Sequence, residues 1–160
     1  AHVIATAGSA AKAEIAQALG ADHALAIAPG EDFAPRVRAL VKEGVHVVYD
    51  GVGKDTWDAS LDSLRPLGMM VSFGNASGSP PAVSPLVLSQ KGSLFLTRPT
   101  LFHYTATAEQ LDETAADLFE VLEKGAVKVA PPAAYALADA SQAHRDLEAR
   151  NTTGSLVLKP

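Results

Sequence analysis

The 160 residues contain no cysteine. That excludes disulfides, thiolate nucleophiles and every cysteine-bearing zinc site from this chain. It fits a reducing compartment, and the cytoplasm is the expectation. Basic runs are absent too. Lys and Arg number 13 against 18 Asp and Glu, for a net charge of −5 and a pI near 5.4. No stripe of cations is available to neutralise the phosphates of a nucleic acid. No apolar run approaches the ~18–20 residues that span a bilayer, and the first residues lack the basic stretch of a secretory signal. None of the histidines (His2, His23, His46, His103, His144) stands in an HExxH or other paired metal spacing. His2 and His46 fall in expected strands and read as packed or polar-paired. A GxSxG elbow, which serine hydrolysis would need, is missing, and so is a GxGxxG loop. Asp50-Gly51-Val52-Gly53 does not replace it, because only one residue separates its glycines and no third follows.

Against these absences stands a regular alternation. Hydrophobic residues make up 48% and charged residues 19%, a globular balance, and the length is that of about one domain. Apolar runs predict strands at Val3–Ala7, Ala24–Ile27, Val45–Tyr49, Met69–Phe73 and Leu94–Thr97. Helical spacing predicts helices at Ala10–Leu19, Asp32–Lys42, Thr56–Leu64 and Pro85–Gln90. Gly20 and Gly44 are the expected C-terminal caps of the first two helices. Repeated strand–helix–strand units imply a parallel sheet with helices on both faces, and the nearly continuous apolar strands fit that burial. Gly74–Pro85, rich in Gly, Ser and Pro, reads as a loop. The chain opens at Ala1 inside what reads as a buried strand, so a preceding segment is expected.

After Pro99 the pattern changes. Thr107-Ala108-Glu109-Gln110 is a capping box opening a long amphipathic helix to Lys124, with Leu111, Ala115, Leu118 and Leu122 at helical spacing. Extended segments are expected at Val127–Val129 and Tyr135–Leu137, a helix from Asp139 to about Arg150, and a last strand at Ser155–Leu158.

Ligands of an open parallel sheet bind beyond the carboxyl ends of its strands. The residues there are Gly8-Ser9, Asp50 to Gly53, Gly74 to Gly78 and Arg98 to Leu101. Three of these four loops carry glycine. Any strand-to-helix turn favours glycine, but three at one edge point to a ligand. Ala7-Gly8-Ser9, followed by Lys12, ends the first strand without a carboxylate. A small polar turn, the amides of a helix start and a lysine together make an anion site suited to a 2′-phosphate. Taken without context, the lysine reads first as a solvated side chain. Asp50 reads either as a general base or as a hydrogen-bonded structural aspartate. Trp57 reads as core.

Several phrases carry a family resemblance. They are Thr6-Ala7-Gly8-Ser9 with Lys12, Leu19-Gly20-Ala21-Asp22-His23, Val47 to Gly53, Val71-Ser72-Phe73-Gly74-Asn75, and Lys91 to Pro99. The tail phrase Ala143-His144-Arg145, with Leu147 to Arg150 and Thr153-Gly154, belongs to the same pattern. Together they resemble the NADPH:quinone oxidoreductases, the zinc-free, zeta-crystallin-like medium-chain dehydrogenases/reductases, over essentially the whole chain.

The resemblance implies an α/β fold: a Rossmann-like doubly wound parallel sheet, here without its first strand and glycine-rich loop, plus a C-terminal tail belonging to a GroES-like catalytic domain. The implied boundaries are 1–125 and 126–160. By the same resemblance NADP(H) is the cofactor. Gly8, Ser9 and Lys12 correspond to its 2′-phosphate pocket, and Val52 to a cofactor contact after the third strand. Phe73, Gly74, Asn75 and Ser77 correspond to the loop under the nicotinamide-side ribose. Arg98, Thr100 and Leu101 correspond to nicotinamide-side contacts, and Arg150 to a tail arginine reaching the cofactor phosphates. Where the family often places Tyr or His on the adenosine phosphate, this chain has Ile27, in a segment one residue longer.

The function expected from the resemblance is transfer of reducing equivalents from NADPH to a quinone-like electrophilic acceptor. Such an acceptor needs little beyond being held against the nicotinamide, in keeping with the lack of an evident acid–base pair. Reduction of an enone or enoyl thioester is an alternative, and a nucleotide-binding module without turnover is another. No catalytic side chain and no metal ligand is assigned. The 160 residues alone are expected to be catalytically poor or silent. The apolar edge Ser93–Pro99 is expected to pair with a second copy.

Overall fold

Small polar turns after apolar runs set the alternation of strand and helix. The computed structural model describes residues 1–149 and 151–160 and divides into two units, Ala1–Thr114 and Ala115–Pro160.

In the first unit, β1 (Ile4–Ala7) leads into α1 (Ala10–Ala18) and β2 (His23–Ala26). Ser9 starts α1 as N-cap, its Oγ accepting the Lys12 amide at 3.3 Å. Gly20, at φ +112°, ends it. Its amide donates to Gln17 O and that of Ala21 to Ala16 O, the paired bonds of a Schellman motif. Then follow α2 (Ala34–Leu40), β3 (Val45–Asp50), α3 (Trp57–Asp62), β4 (Leu64–Ser72), α4 (Pro85–Gln90), β5 (Phe95–Thr97) and α5 (Leu101–Tyr104). The helix α2 ends earlier than expected, with Val41 as its cap. Gly44 instead makes the turn into β3, where a Cβ would lie 2.7 Å from the backbone of Ser63 and Arg65.

Every strand pairing is parallel, as the alternation requires. β1 pairs with β2, Ile4 opposite His23. β3, β4 and β5 form a second sheet in which Val47, Met69 and Phe95 share one row. Among the described residues no ladder joins β1 to β3, so the expected sheet is interrupted there. Both strands nevertheless pack on one cluster: Ile4 and Val45 lie against Phe33, Val37 and Ala59. Trp57, Leu61, Leu64, Met70 and Leu94 form the second cluster. Trp57 is thus core, as expected. A fully buried Leu or Met contributes about 1.5–3 kcal/mol, so Leu61, Leu64 and Met70 anchor this half. The opposite face of the second sheet is open: Val47 is 39%, Met69 40%, Phe95 56% and Tyr49 74% exposed. The expected burial of both faces is therefore not met there.

The strand β4 begins five residues earlier than its apolar run. Leu64 pairs with Val45, and the next pair is Met69 with Val47, so Arg65 to Gly68 bulge out. Leu67 in this bulge has φ +60°. His46, on β3, is exposed, which corrects its reading as a packed side chain, whereas His2, outside β1, sets its ring edge-on to that of His23 with centroids 5.2 Å apart.

The helix α6 (Ala108–Glu123) starts in the first unit and ends in the second. Its capping box forms as expected: Thr107 Oγ1 accepts the Gln110 amide at 3.3 Å and Gln110 Oε1 accepts the Thr107 amide at 3.2 Å. In the second unit, β6 (Ala133–Ala136), α7 (Ala140–Glu148) and β7 (Leu156–Lys159) form a parallel strand–helix–strand unit, Tyr135 opposite Leu158. Tyr135 donates its hydroxyl to Asp146 Oδ2 at 3.1 Å. Val127–Val129, expected to be extended, takes no ladder partner among the described residues. Arg150 lies outside the described residues.

Candidate functional site

The carboxyl ends of β3, β4 and β5 are locked together by their loops. The Asp50 carboxylate is only 4% exposed. Its Oδ1 accepts the amides of Val52 (2.8 Å) and Gly53 (2.9 Å), and its Oδ2 accepts the hydroxyls of Thr56 and Ser60, both at 2.7 Å. Burial pushes the Asp50 carboxyl up. The bonds from Ser60, Gly53, Thr56 and Val52 outweigh it and hold the group below the usual aspartate range. It is an ionised, fully satisfied structural aspartate, and the general-base alternative falls away.

The next loop is zipped onto this turn. Phe73 N donates to Asp50 O, Ala76 N to Gly51 O, Ser77 N to Val52 O and Lys54 N to Gly78 O. Ser77 Oγ donates to Val52 O at 2.9 Å and accepts the Asp55 amide at 3.0 Å. The approach is so close that a Cβ on Gly53 would sit 2.5 Å from Gly78 O, and the Phe73 ring lies against Gly51. These glycines are required by loop-on-loop packing. Arg98 closes the third side: its guanidinium donates to Ser72 O, Ser72 Oγ and Gly74 O at 3.0–3.2 Å.

Of the expected contacts, Val52, Phe73, Gly74, Asn75, Ser77 and Arg98 are therefore brought together. Val52, Phe73, Asn75 and Arg98 remain exposed. A cleft lined by Trp57, Asn75, Ser79, Pro80, Leu96 and Arg98 opens beside them. Thr100 is the N-cap of α5 and Leu101 its first residue, 67% exposed. Sequence reading missed this short helix and the clamping role of Arg98, whereas the structural alternative it offered for Asp50 is the one observed. The spacing Asp50, Thr56, Ser60, which puts two hydroxyls on the start of a helix after an aspartate-ended strand, was the available signal for that alternative.

At the carboxyl end of β1, Gly8 and Ser9 are exposed and Lys12 is half-buried. A Cβ on Gly8 would meet nothing within 4 Å. Ser9 Oγ is used in capping, and the amides of Ala10 and Ala11 keep no partner within the helix. The turn thus presents open space, helix-start amides and a lysine, with no carboxylate at the strand end. That donor set suits a phosphate. At the end of β2, Ala26 O accepts from Arg36 of α2 at 2.7 Å, and Arg36 pairs with Glu31. The Glu31 carboxylate also accepts the Ala28 amide, tying down the turn after Ile27. No group of three or more His, Asp or Glu suited to a metal occurs among the described residues.

This architecture is that of a parallel α/β nucleotide-binding domain with its ligand edge at the strand ends. The chain belongs to the family described as zinc-binding dehydrogenase, whose model matches residues 1–122. It is 46% identical over 160 residues to the quinone oxidoreductase of Pseudomonas aeruginosa, a match covering 99% of this chain and 49% of that one. The crystal structure of Escherichia coli quinone oxidoreductase complexed with NADPH superposes with a TM-score of 0.91 at 43% identity, covering 99% of this chain and 49% of that one. A 2-haloacrylate reductase from Burkholderia is 40% identical over 162 residues, covering 100% of this chain and 48% of the relative. The chain spans about half the length of the curated relatives it matches.

Proposed function

We propose that this chain is the cofactor-binding part of an oxidoreductase that passes reducing equivalents from NADPH to a quinone-like electrophilic acceptor. The observation that carries the reading is the end of β1. There β1 ends in Ala7-Gly8-Ser9 without a carboxylate, Gly8 leaves open space, α1 begins, and Lys12 stands in its first turn. Gly8, Ser9 and Lys12 would hold the 2′-phosphate. Val52 would contact the cofactor beyond β3, and Phe73, Gly74, Asn75 and Ser77 would line the nicotinamide-side ribose. Arg98, Thr100 and Leu101 would flank the nicotinamide. NADPH, when bound, supplies the reducing equivalents, while the chain's own work is binding and orientation.

Support comes from two relatives, one a quinone oxidoreductase solved with NADPH and one a quinone oxidoreductase by name. On this reading residues 1–125 are a partial Rossmann domain and 126–160 a tail of the catalytic domain. The 160 residues alone are catalytically poor or silent, and the site of action is the cytoplasm. Among the described residues no helix is long and apolar enough to cross a membrane. The free edge of β5, with Phe95 56% exposed, pairs two copies into a homodimer.

Reduction of an activated alkene is the second reading, favoured by the likeness to 2-haloacrylate reductase. The deciding experiment follows NADPH oxidation by the protein as its gene encodes it, with 1,4-benzoquinone, 2-chloroacrylate or an enone as acceptor. Turnover with the quinone at about 1–10³ per second supports the first reading, and turnover with the alkenes alone supports the second. NADPH binding without oxidation by any acceptor would leave a nucleotide-binding module.

A further inference from the structure

Asp50 is the buried charged group that the proposed binding contacts leave without a role. It ends β3 at 4% exposure, out of reach of any ligand in the cleft. Both carboxylate oxygens are saturated, Oδ1 by the amides of Val52 and Gly53 and Oδ2 by the hydroxyls of Thr56 and Ser60. A carboxylate accepting two consecutive turn amides dictates the backbone course of that turn. The turn in turn offers its carbonyls as the template for the next loop: Asp50 O, Gly51 O and Val52 O accept from Phe73, Ala76 and Ser77. The tolerance is small, because a Cβ on Gly53 would lie 2.5 Å from Gly78 O and one on Gly74 would lie 2.3 Å from Gly51 O.

We propose that Asp50 is the positioning residue of the nicotinamide-side half of the site, fixing the 51–53 turn and through it the places of Phe73 and Asn75. The inference rests on the reading of this edge as an NADPH site. It adds that the two halves of that site are built independently. The phosphate turn of α1 stands on its own capping bonds at Ser9, whereas the nicotinamide-side loops depend on a single buried carboxylate.

The test uses the protein as its gene encodes it, titrated with NADPH and with adenosine 2′,5′-bisphosphate, which carries only the phosphate-side half of the cofactor. In Asp50→Ala, NADPH affinity falls at least about tenfold while bisphosphate affinity stays within about twofold. In Asp50→Asn, the remaining carbonyl oxygen still accepts from Val52 and Gly53 and the new amide donates to the two hydroxyls, so NADPH affinity recovers to within about threefold of the unaltered protein. Should Asp50→Ala not fold, Ala76→Pro reads the same link at an exposed position. It deletes the amide that holds Gly51 O, and the same split between ligands is expected. Unchanged NADPH affinity in these variants overturns the inference. So does a parallel loss of both ligands, or Asp50→Asn as weak as Asp50→Ala. If the unaltered protein binds bisphosphate but not NADPH, or neither, the NADPH reading fails first and the inference with it.

Discussion

A methyl group on Gly74 would come within 2.3 Å of the carbonyl oxygen of Gly51. That carbonyl is held by Ala76 N and its turn by Asp50, so neither side can retreat. Gly74→Ala is expected to cost about 1–3 kcal/mol of stability, as overpacking does. Gly8→Ala meets open space and is expected to stay within about 0.5 kcal/mol. Thermal melts of the two variants check this, and equal melting temperatures would mean that the loops part easily.

Leu67 has the opposite problem. It is 60% exposed in a left-handed conformation, φ +60°, which disfavours a side chain by about 1–2 kcal/mol. Asn tolerates that region far better, so Leu67→Asn is expected to stabilise by about 0.5–1 kcal/mol. A chain of this size should then melt a few degrees higher. A lower melting temperature would show that the exposed leucine packs more than its accessibility indicates.

The parallel strands were legible because their apolar runs are short, regularly spaced and bounded by glycine. The α6 start was legible because a capping box is a local device, complete in Thr107 and Gln110. The start of β4 was hidden: the apolar run begins only at Met69, yet Leu64 pairs with Val45 and the residues between form a bulge within the strand. Glycines at the strand ends suggested room for a ligand. At Gly8 the structure leaves that room, while at Gly51, Gly53 and Gly74 it fills it with another loop. Single-sequence reading cannot separate these cases, because the second loop lies about 20 residues away. The interruption between β1 and β3 depends on pairing, which strand composition does not encode.

The bonds to Asp50 make stability depend on acid. Its pKa is depressed in the fold, so the stabilisation is fully present above the unfolded value of about 3.9 and is lost as pH falls through the lower folded value. The free-energy gap between the unaltered protein and Asp50→Asn is therefore expected to be constant near neutrality and to shrink below about pH 4. Denaturant unfolding at stepped pH measures it. A gap that widens on acidification would reverse the sign.

Phe95 shares an exposed row with Val47 and Met69, next to the free edge of β5. If that edge joins two copies, Phe95→Lys should convert a dimer to a monomer in sedimentation at micromolar concentration. An unaltered protein that already sediments as a monomer, or a variant with unchanged mass, speaks against pairing there.

The most direct measurement is a fluorescence titration of NADPH and NADH against the unaltered protein and its Lys12→Ala variant. A charge-assisted contact to a partly exposed phosphate contributes about 1.5–3 kcal/mol, or roughly one to two orders of magnitude in affinity. The expected result is tighter binding of NADPH than NADH by the unaltered protein, with Lys12→Ala weakening NADPH at least several-fold and leaving NADH nearly unmoved. Equal affinities for the two cofactors, or a variant that loses both or neither, would contradict a 2′-phosphate pocket at the end of β1.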